Sequence, residues 1–449
     1  MKKLFITLGG LLLLFMQCKD DKPQVSNTSY DPSKPLELTS FSPDSGGLAE
    51  QIILRGSNFG IDNEELRVYF NSKRASVIKT IGNLAYVVAP RLPGDTCVIS
   101  VAIGKDSMQY EAPFYYKTKV QVSTISGTPY RDEASEDGTL VEAVFSRPYY
   151  IAVDKEKNIF VGQYPSGSSG SMHRVRMLNE EKNTVTTLYQ ASGGGYILSG
   201  TCSPTTQTIY FPLDGSIQYI ELDPEKQWAA RKITPRLKAG ETFDLNNLEN
   251  KYCFAVSPED NMLYTITTKG ELVRIHPKTH EAELVMSGIL TDVLDGTIQV
   301  YLTFDPQNPY MLYFVNPSSL NPNDGVIPGT DKIYRIDLRR KLVETYAGSG
   351  VKGHLDGPSN LAQFNNPCQI CFNQDGTLYV GDTDNYCVRK ISPDGIVSTV
   401  VGIPGEKGYL DGDPDIALFD RFWGMYIDED GSLYIADYYN RCVRKLTIE

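Results

Sequence analysis

The stretch DGPSNLAQFNNPCQICFNQDGTLYVGDTDNYCVRK, residues 356–390, returns 55 residues later as DGDPDIALFDRFWGMYIDEDGSLYIADYYNRCVRK, residues 411–445. Asp356-Gly357, Ala362, Phe364, Asp375-Gly376, Leu378-Tyr379, Asp382, Asn385 and Cys387-Val388-Arg389-Lys390 recur as Asp411-Gly412, Ala417, Phe419, Asp430-Gly431, Leu433-Tyr434, Asp437, Asn440 and Cys442-Val443-Arg444-Lys445. Each copy reads as a short strand, an Asp-Gly turn, a second strand, an Asp/Asn-rich turn, a third strand, and a last strand ending in Thr-x-x-Gly. Four short strands in a repeat of this length predict one blade of a β-propeller.

The pattern Asp-Gly, Ala-x-Phe, Asp-x-Asp-Gly-x-Leu-Tyr, Ala-Asp-x-x-Asn and Val-Arg-Lys resembles the NHL repeat. Working outward, six units are expected. The first carries Asp137-Gly138, Ala143, Phe145, Pro148 and Asp154. The second (residues 197–233) and third (252–286) are degenerate but keep Ser203-Pro204 and Ser257-Pro258, and the fourth (299–348) holds an insertion at 316–332. The last copy stops after its third strand, whereas residues 122–127, VSTISG, have the form of a fourth strand. A ring must join its first blade to its last or leave two open edges, so the strand near residue 120 is expected to complete the final blade. The propeller is thus placed at residues 120–449.

Upstream, residues 35–117 form a separate β domain in which Ser42-Pro43-Asp44-Ser45-Gly46-Gly47 and Gly56-Ser57-Asn58-Phe59-Gly60 resemble the IPT/TIG family of immunoglobulin-like sandwiches. The expected fold is therefore all-β, an immunoglobulin-like β-sandwich followed by a six-bladed NHL-type β-propeller. The sandwich reads as a spacer. At the N-terminus, Lys2 and Lys3, an apolar run over residues 4–16 and then Cys18 have the form of a signal peptide, residues 1–17. The segment resembles a bacterial lipoprotein signal, which implies acylation of Cys18. Lys19-Asp20-Asp21 resembles the export signal of lipoproteins displayed on the outer face of the outer membrane in glycan-foraging bacteria. Residues 18–34 then read as a lipidated, Pro-containing tether.

A net charge of −12 argues against nucleic acid as a partner. Beyond Cys18 there are seven cysteines, an odd count without a disulfide-rich module, which reads as packing residues. Cys368-x-x-Cys371 falls within a strand, where residues three apart face opposite ways, so no metal pair is expected there. Asp382 and Asp437, with Asn385 and Asn440, read as caps of backbone amides rather than calcium ligands, and Arg389 and Arg444 as their partners.

In a blade, the first-to-second and third-to-fourth turns share one face, and those in this chain are short. The opposite face receives the long connections, residues 128–140, 164–172, 190–196, 316–332, 349–360 and 403–415, and is the expected binding face. Repeat alignment places Tyr149, Tyr150, Tyr252, Tyr301 and Trp423 where inner strands meet that face, with Arg147, Asn366 and Arg421 beside them. Aromatic rings with planar polar neighbours suit a sugar. The alternative is that these rings plug the central channel.

The architecture resembles non-enzymatic surface lipoproteins that hold polysaccharide for an outer-membrane importer. This implies a glycan partner, attachment to the membrane through the lipid, and no metal or cofactor. A protein-interaction scaffold is the alternative. So is an enzyme, because NHL-like propellers include metal-dependent lactonases and lyases. The aligned ring offers no converging carboxylates or histidines, and the four histidines are scattered.

Overall fold

The computed structural model describes residues 28–91, 96–131, 135–165, 172–192, 196–289, 300–317 and 331–448. The expected signal peptide, Cys18, the export signal and residues 318–330 of the fourth-repeat insertion lie outside the described residues. The chain divides into two compact units between Lys119 and Val120.

In the first unit, one sheet runs in the order Glu37–Ser42, Gln51–Ser57, Leu84–Val88, Ser76–Thr80, and a second in the order Asp106–Gln109, Ile99–Ile103, Arg67–Phe70, Lys73–Arg74. Period-two alternation along these strands buries Ile52, Leu54, Phe70, Ile99 and Val101 completely. Asn58 explains the Gly-x-Asn-Phe-Gly motif. In the left-handed region at φ 64°, it accepts from the Asp31 amide (2.8 Å) and donates to the carbonyls of Asp31 (2.9 Å) and Lys34 (2.8 Å). The leading segment is thereby tied to the sandwich.

In the second unit the described strands form six sheets. The inner strands are Arg147–Val153, Thr201–Cys202, Ala255–Val256, Tyr301–Phe304, Pro367–Phe372 and Gly424–Ile427. Each packs against the next, and Gly424–Ile427 packs back against Arg147–Val153, so the six sheets form a closed ring. The sixth sheet is completed by Val120–Ser126, which runs antiparallel to Cys442–Ile448 with Val120 opposite Ile448. No edge is left at the seam.

The recurring motif residues account for the sheet geometry. Arg389, fully buried, donates to Asp382 (2.9 Å) and Asp356 (2.5 Å) while its guanidinium lies 5.1 Å from the Phe364 ring centroid. Asp356 in turn accepts from the Thr399 amide (3.0 Å) on the fourth strand, Ile396–Val401. One carboxylate therefore fastens the incoming loop, the third strand and the fourth strand together. The sixth sheet repeats this with Arg444, Asp437, Asp411 and Phe419, but its outer-strand threonine is Thr124 from the closing strand (2.9 Å to Asp411). The first sheet uses Arg176, Asp137, Phe145 and Thr187, with Gln163 in place of the second aspartate. Asp382 and Asp437 also accept from the amides of Asn365 (2.7 Å) and Asp420 (3.0 Å), the capping role expected from the sequence. All seven cysteines of the described residues are free and buried.

Candidate functional site

The aromatic ring expected to open onto the long-loop face does not do so. Trp423 is 2% exposed, Tyr149 6%, Tyr150 0% and Tyr301 1%, which corrects the expected geometry. The reason is diametric contact. Sheets one and four face each other across the ring, and the hydroxyls of Tyr150 and Tyr301 meet at 2.5 Å. Sheets two and five are likewise opposite, and Ser199 Oγ donates to Gln369 Oε1 at 3.0 Å. Tyr149 stacks on Trp423 with centroids 5.8 Å apart. Burial drives the Tyr149, Tyr150 and Tyr301 hydroxyls well above the usual phenol range. The rings are an axial plug, the arrangement that aligned sequences alone cannot separate from an open ring.

The remaining expected residues flank this plug. Arg421 pairs with Asp384 (2.9 Å), which also accepts from Asn366 Nδ2 (3.3 Å). Asn366 is buried at 5% exposure, its amide bound to Asp331 (2.9 Å). Arg147 is half-buried, donates to the Tyr438 hydroxyl at 3.4 Å and lies over that ring. Tyr252 is also half-buried and packs against the core. The structure thus joins Asn366 with Arg421 and Tyr149 with Trp423, Tyr150 and Tyr301, but not as one open site.

An open cavity of about 580 Å³ lies at the other end of the axis. Every inner strand contributes its C-terminal end: Val153, Cys202, Val256, Phe304, Phe372 and Ile427 all line it, followed by residues of the short turns that come next. The walls include the Phe304, Phe372 and Tyr426 rings. Thr201 and Thr303 interrupt them, and the rim carries Asp154, Lys155, Gln207, Gln374, Asp428 and Glu429. None of the residues expected from the sequence lines this cavity.

The rim is ordered by its own hydrogen bonds. Asp154 accepts from the Asn158 amide and side chain, both at 2.8 Å, and burial raises its carboxyl above the ordinary value. Lys157 bridges Asp428 and Asp430 at 2.7 Å each, so its charge is compensated across the first and sixth sheets. Gln207 Oε1 accepts from the Lys155 amide at 2.8 Å, joining the first turn to the second. Deeper in, Tyr426 is half-buried, packing against the core and lining the cavity. Its hydroxyl and the Cys202 and Cys371 thiols are all pushed up by burial. Thiols held protonated are poor nucleophiles. Among the described residues, no group of three His, Cys, Asp or Glu side chains is placed to hold a metal ion.

Sequence reasoning missed this face because its turns are short. One signal was available: Ser203-Pro204, Ser257-Pro258 and Asp305-Pro306 each follow directly on the end of an inner strand. All three prolines line the cavity.

Residues 36–116 match the family model of the IPT/TIG domain. A curated plant protein, Protein SUPPRESSOR OF QUENCHING 1, chloroplastic, from Arabidopsis thaliana, is 24% identical over 280 residues. That match takes in 58% of this chain, which spans about a quarter (26%) of the relative's length. Among solved structures, a protein of unknown function from Bacteroides thetaiotaomicron is 26% identical, with a TM-score of 0.79 over 94% of this chain and 100% of that one. An auxiliary nutrient binding protein from the same organism is 23% identical, with a TM-score of 0.57 over 94% and 99% of the two chains. One from Bacteroides ovatus is 18% identical, with a TM-score of 0.58 over 94% and 100%. The two-domain fold, sandwich and propeller together, is thus one that this chain shares with these Bacteroides proteins.

Proposed function

We propose that this chain is a non-enzymatic surface lipoprotein, anchored through Cys18 in the outer membrane and facing outward. It holds a nutrient, the end of an oligosaccharide or polysaccharide, for an outer-membrane importer. The axial cavity carries the reading. It is large enough for one or two sugar rings, offers the faces of Phe304, Phe372 and Tyr426 to their C–H surfaces, and surrounds them with amide, hydroxyl and carboxylate groups that take hydroxyl hydrogen bonds. The resemblance in fold to Bacteroides proteins named for auxiliary nutrient binding supports the role, and the lipoprotein-like N-terminus supports the location. The site proposed is the short-turn face, because the aromatics of the opposite end are consumed in the plug.

The test is native electrophoresis of the whole chain through gels containing starch, dextran, xylan, galactomannan, mixed-linkage β-glucan, pectin or chondroitin sulfate. Retardation by at least one polymer is expected, and Thr303→Trp, which fills the cavity, should abolish it without lowering the melting temperature. Free migration of the wild-type chain in every gel overturns the glycan reading. Undiminished retardation of the filled variant removes the cavity as its site.

A further inference from the structure

The turn after the second inner strand has two faces. Pro204 and Gln207 point into the axial cavity, while Thr205, Thr206 and Thr208 line a separate groove of about 570 Å³ between sheets two and three. The matching turn of sheet three does the same, with Pro258 on the cavity and Asn261 on the groove. Cavity and groove therefore share a wall one turn thick. That wall is stiff: Asn261 Oδ1 accepts from Ser203 Oγ and Thr205 Oγ1, both at 2.9 Å, clasping the two turns together.

The groove is a polar surface whose formal charges balance, with Glu221, Asp223 and Glu225 set against Lys226, Arg231 and Lys278. Glu221 is paired with Arg231 (3.2 Å) and Asp223 with Lys226 (2.5 Å). A charged polymer would have to displace these partners. A neutral polyol loses nothing by meeting them, because a paired carboxylate keeps acceptor sites and a paired guanidinium keeps donors. Thr205 and Thr206 are exposed, and Thr206 Oγ1 donates to Thr208 Oγ1 at 2.9 Å while accepting from the Thr208 amide at 3.5 Å, which leaves one of its lone pairs for a ligand hydroxyl.

From this shared wall we infer that the groove is a second subsite for the ligand of the axial cavity, and that the ligand is a linear, uncharged oligosaccharide. Its terminal unit sits on the axis, and its following units cross the turn at residues 203–208 into the groove. The inference rests on the glycan reading above and narrows it to neutral, unbranched chains. Two tethered contacts raise affinity without any new kind of interaction.

The experiment is calorimetric titration of the full chain with disaccharide-to-octasaccharide ladders cut from whichever polymers of the gel panel retard it. Affinity is expected to rise about tenfold or more between disaccharide and hexasaccharide and then level off. Thr206→Trp, which blocks the groove from an exposed position, should erase that rise and leave disaccharide affinity intact. Thr303→Trp should remove binding at every length. Affinity independent of length, a Thr206→Trp ladder like the wild type's, or retention by pectin or chondroitin sulfate alone overturns the groove while leaving the glycan reading standing. Failure of every polymer to bind overturns both.

Discussion

Replacing Arg444 with methionine keeps the aliphatic stem and removes a guanidinium that is 0% exposed. The lost contacts are those to Asp437 (2.8 Å), to Asp411 (2.6 and 2.9 Å) and to the carbonyls of Leu418 (3.2 Å) and Leu410 (2.8 Å). Asp437, itself 0% exposed, keeps only Asn440 Nδ2 and the Asp420 amide. Stranding a buried charge in this way costs about 3–5 kcal/mol. For the unit Val120–Ile448, whose length implies an unfolding entropy of about 0.7 kcal/mol/K, that is a fall of roughly 4–7 °C in melting temperature. Arg389→Met makes the same cut in the fifth sheet and should cost a similar amount locally. The two differ in what hangs on them: Asp356 holds Thr399, whose strand follows by a short turn, whereas Asp411 holds Thr124 on the closing strand. Arg444→Met should therefore also speed amide hydrogen exchange along Val120–Ser126, and Arg389→Met should not. Burial already raises the Asp437 carboxyl to about 6 with the guanidinium present. In the variant it rises further, so the penalty should shrink as the solution is acidified and the stranded carboxylate takes up a proton. Adding Asp437→Asn should recover much of the loss at neutral pH. A loss below about 1 kcal/mol in both single variants, or a double variant as unstable as the sum of its parts, would refute the fastening role of the motif arginines.

Trp423→Ala should cost about 3–5 kcal/mol, since the ring is enclosed in the plug; a loss under about 1 kcal/mol on denaturant titration would return Trp423 to the candidates for ligand contact. Lys251 is fully buried, and its ammonium donates to the carbonyls of Ser216 (2.7 Å), Leu248 (3.1 Å) and Leu213 (3.5 Å), with Asp214 and Glu249 the charges nearest to it. Burial lowers it to about 7. The unfolded chain then holds a proton that the folded chain sheds, so this group adds stability as pH rises above about 7, and Lys251→Met should flatten the wild-type gain in melting temperature between about pH 6.5 and 8.5. An unchanged slope in the variant would remove Lys251 as its source. Cys18→Ala should release the protein from the membrane fraction; a variant that still sediments with outer membranes would sink the lipid anchor.

The fold was largely legible because the ring imposes the same local problem at each motif-bearing sheet. An arginine on the third strand needs a carboxylate from the loop and a second acceptor from the second strand, and Asp411, Asp437 and Arg444 repeat Asp356, Asp382 and Arg389 for that reason. The closing strand was legible from Val122 to Gly127 for the same cause, since Thr124 occupies the place of Thr399. The second and third repeats were faint because they solve the problem otherwise. Sheet three, for example, pairs Arg274 with Glu283 on its own neighbouring strand and with Asp260. The axial cavity was barely legible, marked only by the prolines that follow three of the inner strands. Whether Tyr150 faces solvent depends on Tyr301, half a ring away in space and 151 residues away in sequence. Loop length, the guide used to choose a face, says nothing about what fills the axis.

The hydroxyl contact between Tyr150 and Tyr301 turns what could have been a tunnel into a blind sac. Under the proposed function a polymer could not be threaded through such a ring: it would present an end, be held, and leave backwards through the mouth it came in by. Traffic in both directions then competes for one opening, and the lifetime of the bound state is set there. On that reading, a recipient taking the ligand onward would approach the short-turn face, the one bearing the Asp428, Lys157 and Asp154 rim. The long connections on the far side are left free of that traffic.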